Sequence, residues 1–189
     1  MRIALICVCL FIANNAVFAQ RQDDIIVKSN LLNLIAKRPS FSLEKNFSQQ
    51  YGLELSYTFG EYKNLPFRDY YQYNGFLLRA KKYFKPIETK QINPFYGIYI
   101  GNLNKTVVSH GTVDNTGFVS IGSNNNFNAN SIRYGGTLGL LYVPKRHFVL
   151  EALTGAGYGN YFNVDNKLNT EPPKGYFDIH FWLSVGYRF

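Results

Sequence analysis

The chain has 189 residues, a formal net charge of +8 and two cysteines, Cys7 and Cys9. That length makes one domain of ordinary size. No stretch beyond residue 19 reaches the run of about eighteen apolar residues that a helical membrane span needs, so a crossing after that point would be made by strands.

Met1 to Ala19 reads as a signal peptide. Arg2 supplies the positive start, Ile3 to Ile12 the short apolar region, and Val17-Phe18-Ala19 the small residues of a cleavage site, which leaves Gln20 as the mature N-terminus. Both cysteines fall inside this peptide, so the remaining domain, residues 20–189, is expected to hold together without disulfides. Export also argues against nucleic acid as the partner of the basic charge. The basic pairs Lys37-Arg38, Lys81-Lys82 and Lys145-Arg146 are scattered, and contact with anionic lipid headgroups is the more economical reading.

Eight strands are predicted from period-two alternation. In chain order they are Ile25 to Ile35, Ser40 to Phe47, Tyr51 to Phe59, Tyr73 to Phe84, Pro94 to Asn104, Ser131 to Val143, Phe148 to Phe162 and Tyr176 to Phe189. The first is the least regular and the third the cleanest, with Tyr51, Leu53, Leu55, Tyr57 and Phe59 opposite Gly52, Glu54, Ser56 and Thr58. The last ends the chain on an aromatic of its apolar face, Phe189. The connections alternate in length. Ser48 to Gln50, Lys85 to Asn93 and Pro144 to His147 are the shorter set, while Gly60 to Gln72, Lys105 to Asn130 and Asn163 to Lys174 are long, and only Ala36 to Pro39 is short on that side. The predicted fold is therefore all-β: an eight-stranded antiparallel up-and-down transmembrane β-barrel.

Alternation alone does not say which face points inward. A soluble periplasmic carrier of a hydrophobic ligand would turn its apolar faces inside. The polar faces favour the opposite arrangement. They are rich in glycine, which suits a crowded narrow interior. They also carry both signs of charge: Lys28, Glu44, Glu54, Arg79, Arg133, Glu151, Asp178 and Arg188. Buried charges need partners, and four acids with four bases make a predicted lumen charge network. Aromatics at strand ends, among them Phe47, Tyr51, Phe59, Tyr73, Phe84, Tyr142, Phe148, Phe162, Phe177 and Phe189, would form two interfacial girdles.

The first strand, Val27-Lys28-Ser29-Asn30-Leu31-Leu32-Asn33-Leu34, and the closing run, Ser184-Val185-Gly186-Tyr187-Arg188-Phe189, resemble those of the small eight-stranded outer-membrane barrels. These are the OmpX and OmpA transmembrane-domain type, and above all the uncharacterised outer-membrane barrels of Bacteroidota. The resemblance covers the whole mature chain on loose motifs. It implies an outer-membrane location in a Gram-negative cell envelope. It also implies that Tyr187 and Phe189 act as an assembly signal read by the barrel-assembly machinery.

Little in the chain points to a reaction. Of the three histidines, His110 lies beside Ser109 with Asp114 following, His147 ends a turn, and His180 stands near Asp178 and Ser184. Some small outer-membrane barrels deacylate lipid A with a His and a Ser two apart on a strand; His180 and Ser184 are four apart, and no triad closes. No metal-ligand spacing or phosphate-binding glycine loop is present, and no catalytic residue, metal or cofactor is expected. The glycines from Gly135 to Gly159 read as interior spacers. The polar segment Lys105 to Asn130, with Gly122-Ser123-Asn124-Asn125-Asn126-Phe127-Asn128, is the candidate loop for an extracellular ligand. Eight strands leave a lumen that side chains fill, so no diffusion pore is predicted. The expected role is non-enzymatic: adhesion, envelope integrity or partner binding. A lipid A-modifying enzyme and a soluble carrier are the alternatives.

Overall fold

The computed structural model describes residues 24–35, 40–47, 50–65, 68–109, 125–167 and 174–189. The expected signal peptide, the short Ala36 to Pro39 turn, and His110 with Asp114 lie outside them. Eight strands form, β1 (Ile25–Asn30), β2 (Ser40–Phe47), β3 (Tyr51–Leu65), β4 (Arg68–Tyr83), β5 (Ile92–Ser109), β6 (Asn125–Lys145), β7 (Phe148–Asn166) and β8 (Gly175–Arg188). Each pairs antiparallel with the next, and β1 pairs with β8, closing the barrel. Closure removes the exposed edges that an open sheet would present.

The first strand is shorter than its predicted span. Asn30 Oδ1 accepts a hydrogen bond from Leu32 N at 3.0 Å, which turns the chain into a single helical turn, α1 (Leu31–Ile35). A side chain offering the backbone a local partner ends a ladder in this way. At the same rim the hairpins are longer than predicted. β3 and β4 continue through most of the expected Gly60 to Gln72 loop. Likewise residues 105–109 and 125–130, both ends of the expected Lys105 to Asn130 loop, are paired strand, with Val107 opposite Phe127. Buried contacts inside the extended wall hold these arms: Val107, Phe127 and Ala129 pack against Tyr71, Tyr161 and Val164.

The apolar faces point outward. Phe41, Leu43, Leu55, Phe76, Ile98, Leu138 and Phe181 are all exposed, and a band of such residues encircles the barrel. Of the aromatics predicted as girdle residues, Tyr73 turns inward instead and stacks with Tyr71 and Tyr62, ring centroids 5.5 and 6.1 Å apart. At the rim that carries both termini, Tyr187 stacks on His147 at 5.2 Å and meets Phe189 edge-on at 4.8 Å.

The interior has three layers. At the terminal rim Ile26, Tyr83, Phe95, Leu141, Val143 and Val149 form an apolar cluster, joined by Ile87 from the β4–β5 turn. That turn is pinned over the mouth: Lys90, at φ 63°, donates its N–H to Val143 O at 2.7 Å, and Asn93 Nδ2 donates to Leu141 O at 3.2 Å. The middle layer holds the charges, and a cavity opens at the opposite rim. Glycines make sockets for inward rings, as Gly155 does for His180. At Gly139 an added Cβ would run into the Phe95 ring and Leu153. Gly139→Val is therefore expected to lower stability by about 1–3 kcal/mol, the usual cost of overpacking. Urea unfolding of the refolded protein in detergent tests this, and an unchanged midpoint refutes it.

Candidate functional site in the barrel interior

Alternation on β1, β2, β3, β4 and β7 brings six charged side chains to one level of the lumen. Lys28 Nζ donates to Glu44 Oε2 (2.6 Å), Glu54 Oε2 (2.5 Å) and Glu151 Oε2 (2.8 Å). Lys81 Nζ donates to the same three oxygens at 2.8, 2.6 and 2.6 Å. Arg79 Nη1 bonds Glu54 Oε1, and Tyr83 donates its hydroxyl hydrogen to Glu44 Oε1 at 2.7 Å. Three acids thus face three bases, all with side chains at most 1% exposed. The three carboxylate oxygens lie within 4.8 Å of one another, a spacing a metal ion could use. Two ammonium groups of the chain itself already bridge the three Oε2 atoms, while Glu151 Oε1 has no hydrogen-bond partner among the described residues.

Above this level the charges thin out. Arg133 Nη1 lies 3.6 Å from Asp178 Oδ1, and Tyr99 donates to Asp178 Oδ2 at 2.9 Å. His180 sits between Tyr99 and Trp182, ring centroids 5.0 and 6.2 Å away. Lys105 Nζ lies 3.1 Å from the centre of the Tyr176 ring. All of these groups except Tyr99 line a cavity of about 680 Å³ that opens at the rim opposite the termini. Its floor meets the charge network where Arg79 stacks 5.0 Å over Trp182.

Residues 3–172 match the DUF3575 family, described as a protein of unknown function. The chain belongs to the DUF3575 family. No curated protein matches it. Among solved structures, this DUF3575 member is similar to the N-terminal β-barrel domain of Pseudomonas aeruginosa OprF, with 17% identity, 90% of this chain and 100% of that one covered, and a TM-score of 0.52. It is also similar to Neisserial surface protein A, with 17% identity, coverage of 88% and 92%, and a TM-score of 0.50. Both are small outer-membrane β-barrels, and the shared property is the fold.

The eight charges singled out from the sequence divide into three groups. Lys28, Glu44, Glu54, Arg79 and Glu151 meet in the central cluster. Arg133 and Asp178 pair above it, and Arg188 stands apart at the terminal rim, bonded to Asp24. Sequence reading left out Lys81, although it follows Arg79 by two residues and so shares its face. Lys105 went unnoticed because it fell in a segment expected to be loop. His180 and Ser184, the pair weighed for acyl hydrolysis, both lie on the interior face of β8, where Ser184 is buried.

Proposed function

We propose that this protein is a non-conducting, non-enzymatic outer-membrane barrel, exported by residues 1–19, whose extended wall at the cell surface contacts a partner. The observation that carries the reading is the inversion of the molecule: a continuous apolar exterior around an ion-paired interior, the arrangement a lipid surround demands and water does not. The alternative carrier, with apolar faces lining a cavity, has the opposite polarity. In this reading the termini face the periplasm, and Tyr187 and Phe189 serve the barrel-assembly machinery.

The outward face of the extended wall is a field of amides in register. Gln72 opposes Thr106, which opposes Asn128, while Asn74 opposes Asn104, which opposes Asn130. They line a concavity of about 310 Å³. Amides offer donors and acceptors together, which suits a hydroxyl-rich surface such as a polysaccharide.

Membrane fractionation with heat-modifiable gel migration is expected to place the chain in the outer membrane as a folded barrel. Recovery in the soluble periplasm overturns the reading. In planar bilayers the purified protein is expected to give no stable conductance, because the turn carrying Ile87 closes one mouth and the charge cluster fills the middle. Steady nanosiemens-scale steps would refute the closed lumen.

A further inference from the structure

The seam between β1 and β8 closes only part of the wall. Its ladder runs from Ile26 opposite Arg188 to Asn30 opposite Ser184, where the chain leaves the sheet for α1. Further along the wall, β2 begins at Ser40 opposite Thr58. Above those rows β8 and β3 face each other, among the described residues, across the width of the two absent strands, about 14 Å at the usual strand spacing. Between them stands α1, whose Asn33 lines the cavity. The cavity is also lined by Asp178, His180 and Trp182 from the inner face of β8 and by Phe177, Ile179 and Phe181 from its outer face. One cavity reaches both faces of a strand by passing around a free edge. That edge lies in the apolar band. Phe181 is opposite Thr154, which is opposite Leu138, and Ile179 and Phe181 are 61% and 58% exposed.

The free edge is polar where lipid would meet it. In an antiparallel ladder alternate residues turn both backbone groups to one neighbour. Phe189 N donates to Ile25 O, so the odd-numbered residues of β8 face the β1 side, and Ile179 and Phe181 have no backbone partner there among the described residues. Unsatisfied backbone groups are costly in a hydrocarbon surround. Inside the cavity the charges are engaged with their neighbours. Arg133 Nη1 and His180 Nδ1 each lie 3.6 Å from an Asp178 carboxylate oxygen, and Lys105 covers the Tyr176 ring. The part-exposed surfaces are the rings of Tyr62, Tyr71, Tyr161 and Tyr176 and the Asn33 amide. We infer that this slot is a lateral binding site for an amphipathic molecule with an uncharged, hydroxyl-rich head, a glycolipid in chemical class, which enters from the surrounding leaflet. Sugar hydroxyls both donate and accept, so the head satisfies the edge at Ile179 and Phe181 and stacks on the tyrosines. The apolar chain stays outside, against the Ile179 and Phe181 side chains. The inference rests on the membrane reading above, because a lipid surround is what makes the bare edge costly.

Trp182 lines the cavity and is the chain's single tryptophan, so its fluorescence reports occupancy. The mature chain would be refolded into phosphatidylcholine vesicles, with heat-modifiable migration as the check of insertion. A chain that does not insert removes the membrane reading and this inference together. In an inserted barrel, dodecyl maltoside, kept below the level that disrupts vesicles, is expected to give a saturable fluorescence change. Maltose, which lacks the chain, and dodecylphosphocholine, which lacks the sugar, should give none. Even-numbered residues of β8 face β7, as Arg188 N does in donating to His147 O, so Ile179→Pro removes an N–H that faces the slot and breaks no bond to β7. It should therefore fold, as proline does on a free strand edge, and weaken the response about fivefold, the worth of one hydrogen bond. His180→Pro, which breaks the β7 ladder, should prevent folding. Asn33→Phe crowds the mouth of the slot and is the second weakening variant. No saturable change in an inserted barrel, an equal response to dodecylphosphocholine, or a response unaltered in both weakening variants overturns the inference. So does an Ile179→Pro barrel that fails to fold as His180→Pro does, since the edge would then be paired. A cross-linked dimer that Ile179→Pro abolishes, with no response to dodecyl maltoside, gives the edge to a strand of a second copy and overturns it as well.

Discussion

Replacing Glu54 with glutamine is expected to destabilise the barrel by about 3–5 kcal/mol, the cost of breaking a buried ionic group by removing one partner. Glu54 is the hub of the central cluster. Its Oε2 accepts from Lys28 and Lys81, and its Oε1 from Arg79 and from Ser56 Oγ at 2.9 Å. Glutamine keeps the volume and removes the charge. Lys28, Lys81 and Arg79 would then face only Glu44 and Glu151, leaving one positive charge uncompensated in a region with almost no solvent access. Removing Arg79 as well restores the balance, so the double variant Glu54→Gln/Arg79→Met should cost less than the sum of the singles by about 1–3 kcal/mol. Urea unfolding in lipid vesicles, followed by Trp182 fluorescence, measures all three. A loss below about 1 kcal/mol for the single variant would mean that water reaches the cluster and screens it.

The second large effect is expected on the outside. Leu138 is 61% exposed and lies on β6 midway between Tyr134 and Tyr142, both also facing outward. Leu138→Arg should cost about 2–4 kcal/mol in vesicles, the penalty for arginine near the middle of a bilayer. Asn128→Arg, on the same strand and the same face but in the amide field, should cost about 0–1 kcal/mol. In a water-soluble barrel both positions would be ordinary surface, where substitutions stay within about 0.5 kcal/mol. Equal effects at the two sites would therefore remove the apolar band's claim to be a lipid contact.

The eight strands and their facing were legible because period-two alternation holds wherever the exterior is apolar. Leu53, Leu55 and Tyr57 point out while Glu54 and Ser56 point in, as their spacing requires. The same signal misled above the band. There the phase reverses: Val107, Phe127 and Ala129 point inward, and Thr106 and Asn128 outward. A reader expecting apolar residues on the outside sees the alternation dissolve and writes loop. The inward turn of Tyr73 has the same origin. The apolar layer at the terminal rim was hidden for another reason. Ile87 belongs to a turn, and no periodicity reveals that a turn folds back into a lumen. Most of the charge cluster was readable, since Arg79 and its neighbours follow strand parity, but pairing across β1, β4 and β7 depends on barrel stagger, which no single strand carries.

The walls differ greatly in height. β1 has 6 residues and β2 has 8, whereas β5, β6 and β7 have 18, 21 and 19. On the described residues, the barrel is a tall half-shell on one side and a low sill on the other, where β1 meets β8. A membrane protein of uniform height looks alike from every direction in the plane. This one does not: whatever meets the tall shell has its compass bearing fixed relative to the sill, and neighbouring molecules in the bilayer can tell its front from its back.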